Sequence, residues 1–74
     1  MNYKELKVDE GFHHSSIHFS SIEELMEKIS SIKNSSIKTI SLCKTDIGEN
    51  SWETVRSILL EGFSGTDVNI IIYV

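Results

Sequence analysis

Asp67-Val68-Asn69-Ile70-Ile71-Ile72-Tyr73-Val74, residues 67–74, is the stretch on which the fold turns. β-Branched and aromatic side chains in succession favour extended backbone. Along a strand, neighbours point to opposite faces, so Ile70 and Ile72 share one face while Ile71 and Tyr73 share the other. A strand apolar on both faces lies in the middle of a sheet, or meets a partner with its second face.

Working upstream, Trp52, Val55, Ile58, Leu59 and Phe63 recur at helical spacing. That helix starts near Asn50 or Ser51, carries Glu53 in its first turn and is ended by Gly62 and Gly65. A polar loop, residues 44–50, precedes it and contains Gly48. Residues 37–43 are rich in β-branched side chains and predict a strand, with Ile40 and Leu42 on one face and Thr39 and Ser41 on the other. A further helix stands before this strand. Ser20 or Ser21 caps it, Glu23 or Glu24 completes a capping box, and Ile22, Leu25, Met26, Ile29 and Ile32 form its apolar stripe. Lys33 and Asn34 close it, the asparagine as a left-handed terminator.

At the N-terminal side, Leu6 and Val8 alternate with polar residues, which predicts a strand over residues 3–8. Asp9-Glu10-Gly11 is a turn signal, and residues 12–19 predict a second strand joined to the first as an antiparallel hairpin. The expected order is therefore β-β-α-β-α-β. It describes a two-layer α+β fold in a single domain, residues 1–74, with a mixed, mainly parallel sheet and two helices packed on it. If both helices cover one face, Ile71 and Tyr73 look out from the other. That argues for a homodimer or a protein partner.

Composition narrows the function. Apolar residues make up 39% and charged residues 24%, a globular rather than a disordered balance. One cysteine, Cys43, excludes an internal disulfide and fits a reducing compartment. No apolar run reaches membrane-spanning length, and the charged start Met1-Asn2-Tyr3-Lys4-Glu5 lacks a signal-peptide core, so a cytoplasmic protein is expected. The net charge of −4 and the absence of a Lys/Arg cluster argue against nucleic acid. An acidic balance suits solubility, or docking on a basic protein.

No cofactor or metal site is expected. His13 and His14 point to opposite faces of a strand, and His14 and His18 stand about 13 Å apart along it, so one strand cannot chelate with them. Cys43, at the end of a parallel strand, is either a small apolar filler or a nucleophile beside a histidine, the reading an enzyme would need. The loop with Asp46 and Glu49 lacks the glycines and the Gly-Lys-Ser/Thr ending that cradle phosphate. It reads as part of a partner-binding surface, with Asp46, Glu49 and Trp52 as contacts, Trp52 being a core residue on the competing reading. Glu23, Glu24 and Glu27 form either an acidic patch for a basic partner or a solvated helix face.

Glu49-Asn50, Glu53-Thr54-Val55 and Glu61, followed by Gly65 and Asp67-Val68-Asn69-Ile70-Ile71, form a capped helix leading to a buried terminal strand. In this C-terminal third the chain resembles barstar-type ribonuclease inhibitors. The resemblance implies a small acidic protein that blocks a basic enzyme by stoichiometric binding, as inhibitor, immunity protein or antitoxin, without turnover. Residues 37–57 are also similar to a STAS domain, in which a strand, a loop and a capped helix carry a phosphorylatable serine. That likeness implies a regulatory domain switched by phosphorylation at Ser51.

Overall fold

The computed structural model describes residues 1–7 and 17–74. Three strands, β1 (Asn2–Leu6), β2 (Thr39–Cys43) and β3 (Asn69–Tyr73), form a sheet in the order β1-β3-β2. Two helices, α1 (Ile22–Lys33) and α2 (Trp52–Gly62), alternate with them. The chain is thus α+β, and the apolar run that decides the fold is indeed the middle strand.

Both pairings of β3 are parallel. Asn2, Asn69 and Thr39 share one register row, and Leu6, Tyr73 and Cys43 share the last. The expected antiparallel hairpin, and with it the mixed sheet and the six-element order, is not found among the described residues. Of the expected second strand, residues 17–19 are not extended ladder; its remainder lies outside the described residues. Ile17 still meets the sheet, because its amide donates to the carbonyl of Ser41 at 3.0 Å on the outer side of β2. Among the described residues, this bond ties the segment to the edge of the sheet.

The core lies between the helices and one face of the sheet. Ile40 and Leu42 of β2 and Ile70 and Ile72 of β3 pack with Leu25, Ile29 and Ile32 of α1 and with Val55 and Leu59 of α2. One cluster holding the alternate residues of two strands and both helices places the helices on the same face. Leu25, Val55, Leu59, Phe63, Ile70 and Ile72 are fully buried. Such a side chain contributes about 1.5–3 kcal/mol over leaving it in water. Ile71 and Tyr73, on the opposite face, are also buried, at 4% and 2% exposure. At that burial the two side chains themselves offer little apolar surface to solvent.

Local chemistry explains the helix ends. The Ser21 hydroxyl accepts from the Glu24 amide at 3.1 Å, and the Glu24 carboxylate accepts from the Ser20 amide at 2.6 Å. This is a capping box shifted by one residue, with the return bond made to the residue before the cap. At the other end Asn34 sits at φ −94°, not in the left-handed region; its side-chain amide donates instead to the Ser30 carbonyl at 3.0 Å. Met26 falls off the buried stripe and is 59% exposed. Gly62 does not terminate α2 by its own conformation. It is the last helical residue, and a Cβ built on it would stand 2.9 Å from Cγ2 of Ile29. Hydrogen at that position lets the two helices approach closely.

Candidate functional site

Parallel strands put their C-terminal ends at one edge of the sheet: Leu6, Cys43 and Tyr73. α1 leads through residues 34–38 into the start of β2, and α2 leads through residues 63–68 into the start of β3. Each helix therefore runs back along the sheet and begins at the edge where the strands finish. The α1 helix of 12 residues is about 18 Å long, close to the length of a five-residue strand, so its first turn reaches that edge. Topology gathers there Glu5 of β1, Glu23 and Glu24 of α1, Asp46 and Glu49 of the β2–α2 loop and Glu53 of α2. Glu27 lies one turn further along α1.

The β2–α2 loop is tightly built. Ile47 and Asn50 exchange backbone hydrogen bonds at 2.9 and 2.8 Å, closing a turn over Gly48 and Glu49. Gly48 has φ +56°, and among the described residues no non-glycine residue, Glu49 included, has positive φ, the sign pattern of a type II′ turn with glycine at its first central position. Ile47 is 5% exposed and fastens the turn to the core. Glu49 stands at the tip in solvent. Asp46 is engaged locally: its Oδ1 accepts from the Trp52 amide at 2.9 Å, satisfying one of the orphan donors at the start of α2. Ser51 holds the N-cap position, is exposed, and makes no side-chain cap bond.

The residues singled out in the sequence thus separate by role. Trp52 is 7% exposed and belongs to the core cluster. Asp46 and Glu24 stabilise helix starts. Glu23, Glu27 and Glu49 are exposed, and Glu53 joins them at the same edge. Glu5 and Glu53 could have been added from the sequence only by knowing that every described strand is parallel. Cys43 and His18 are exposed, and His13 and His14 lie outside the described residues. Among the described residues no three His, Cys, Asp or Glu side chains converge as metal ligands, and no helix is long and apolar enough to cross a membrane.

Among the described residues, Tyr3 and Asp67 titrate away from their ordinary values. Burial, reinforced by the hydrogen bond and the charge of Glu5, pushes the Tyr3 phenol up to about 12, against a smaller opposing pull from Arg56. The phenol donates to Oε2 of Glu5 at 2.8 Å. At the opposite edge, Lys38 bonds Asp67 at 3.0 Å and holds its carboxyl below the usual range. Both residues of that pair are well exposed, so it contributes little to the fold.

Away from this edge, a groove of about 510 Å³ runs between α1 and α2. Met26, Ile29, Ile58 and Gly62 give it an apolar lining, and Lys33 and Glu61 stand among its polar residues.

No protein-family model matches the chain, and no curated protein or solved structure does so either.

Proposed function

We propose that the chain acts by stoichiometric binding to a protein with a basic surface, as an inhibitor, immunity protein or antitoxin does, without catalytic turnover. The observation that carries this reading is the gathering of exposed Glu23, Glu49 and Glu53 at the edge where the strands end and the helices begin. Solvated carboxylates held on helix starts and a tight turn present negative charge in fixed positions, which steers a basic partner and sets its register. Glu24 and Asp46 add their charge to the same field while capping the helices. Trp52 lies beneath and keeps the surface rigid. The likeness of the C-terminal third to barstar-type inhibitors points the same way.

The test is co-purification with the chain as bait, followed by triple charge reversal, Glu23→Lys, Glu49→Lys and Glu53→Lys. The expected result is one partner at fixed stoichiometry, released by salt and lost on reversal. A partner that binds the reversed chain as well as the original would sink the proposal.

A second reading is a small STAS-like regulatory domain switched by phosphorylation at Ser51. It is favoured by the exposed Ser51 hydroxyl, which forms no cap bond. A phosphate at a helix N-cap is stabilised by the helix dipole and would deepen the negative field of this edge. Mass spectrometry of protein from its native cells tests it, and stoichiometric absence of the modification under all growth conditions counts against it.

A further inference from the structure

We propose that the groove between α1 and α2 is the interface of a homodimer, in which Met26 of each copy enters the groove of the other. This goes beyond the acidic-edge reading and does not depend on it; Glu23 is the one residue the two readings share.

Three observations carry the inference. First, Met26 is a large apolar side chain 59% exposed beside a groove with an apolar lining. An unbranched thioether adapts to such a slot better than a branched side chain does. Second, Gly62 and Ile29 both line the groove and meet so closely that a Cβ on Gly62 would stand 2.9 Å from Cγ2 of Ile29, so at this point the groove has a floor of packed helices. Third, the charges of α1 are segregated along its length: Glu23 and Glu24 in the first turn, Glu27 next, then Lys28, and Lys33 in the last turn.

The third observation selects a second copy as occupant and fixes its direction. Two α1 helices packed parallel would set acids against acids. Packed antiparallel about a two-fold axis level with Lys28, residues equidistant from the axis face one another. Met26 then lies over Ser30 of the second copy, a small residue lining the groove, and Glu23 meets Lys33 of the second copy. Met26, Ser30 and Lys33 lie along the groove side of α1, and Glu23 flanks it, as the helical period requires. An isologous contact of this kind forms each pairing twice and closes, giving a dimer rather than a filament. Neither Glu23 nor Lys33 has an ion-pair partner among the described residues of its own chain. A patch of this extent is smaller than a standard stable interface, so association in the micromolar range is expected.

Sedimentation equilibrium of the purified chain, from about 1 μM to about 0.5 mM, tests the proposal. The expected result is a concentration-dependent shift from the 8.4 kDa chain mass to twice that value. Met26→Glu, at an exposed position, should weaken association by at least about tenfold while leaving the circular dichroism spectrum unchanged. Glu23→Lys and Lys33→Glu should each weaken it about fivefold, and the two together in one chain should restore it, since the pair is reformed with its charges exchanged. A chain that stays monomeric over the whole range overturns the proposal. So does a dimer that Met26→Glu leaves intact, because the contact then lies elsewhere, for instance on the outer edge of β1. A double charge exchange no better than the single ones overturns the antiparallel geometry on which the pairing rests. Because no other protein is present, failure here leaves the acidic-edge reading standing.

Discussion

The backbone amide of Trp52 donates to the carboxylate of Asp46 at 2.9 Å, across the turn that separates β2 from α2. The turn exchanges two hydrogen bonds between Ile47 and Asn50 and so returns the chain to within reach of its own start. Asp46 thereby takes the capping task that the Ser51 side chain leaves undone. Asp46→Ala should cost about 0.5–2 kcal/mol of stability, the range for losing a helix cap. Asp46→Asn, which keeps an accepting oxygen, should cost less. Urea denaturation followed by Trp52 fluorescence measures both, and an alanine variant as stable as the original would remove the carboxylate from this role.

Gly62 poses a contest between two effects. Alanine is favoured over glycine by up to about 1 kcal/mol inside a helix, and by less at the last helical position, which Gly62 holds. A methyl group here would sit 2.9 and 3.0 Å from two carbons of Ile29, a β-branched side chain with little freedom to turn away. Overpacking of this kind costs about 1–3 kcal/mol, so Gly62→Ala should be destabilising on balance. In an Ile29→Ala background the same substitution should be neutral or stabilising. A double-mutant cycle that showed no coupling would mean that the helices are further apart than described.

Leu59 is fully buried where α2 crosses the sheet. Leu59→Ala should lower stability by about 2–5 kcal/mol, through lost transfer energy and the cavity left behind. Leu60→Ala, one position away and only half-buried, should cost distinctly less. Chemical denaturation curves for the pair would show whether the buried stripe of α2 is assigned to the right residues.

Alkaline pH should weaken the fold through Tyr3. Its phenol titrates near 10.0 in the unfolded chain and at about 12 in the folded one. The favourable contribution is complete below the lower value. Between the two, the unfolded chain releases a proton that the folded chain retains, so stability falls as pH rises toward the upper value. Phenolate absorbance should show a late titration that is lost in Tyr3→Phe. Glu5→Gln, which removes the neighbouring negative charge, should bring that titration down. A Tyr3 phenol ionising at its ordinary value would contradict the contact.

Some of this was written locally in the chain and some was not. The start of α1 was readable because Ser21 and Glu24 satisfy each other's neighbourhood within one turn. Leu25, Ile29 and Ile32 were readable because burial repeats with the helix. The central place of Ile70-Ile71-Ile72 was readable because an interior strand has no polar face. The parallel order β1-β3-β2 was not, since nothing in residues 2–6 or 39–43 specifies which strand each will meet. Asp46 looked like a surface acid because its acceptor role depends on a turn that brings it back beside Trp52. Met26 looked like a core residue because the helical period marks a face only to within a side chain's width. At the candidate site, Glu23, Glu27 and Glu49 were legible as exposed acids. Their meeting with Glu53 at one edge follows only from strand direction.

The two outer strands touch β3 and never each other, and Asn2 bonds Asn69 across 67 positions of chain. As translation proceeds from the amino end, β1 and β2 are both made before the strand that joins them exists. The helices can coil early, since their bonds are local, but β1 and β2 have no described strand to pair with until residues 69–73 are made. Both ladders of the sheet are long-range contacts through this one apolar segment, so a defect in β3 would release β1 and β2 together.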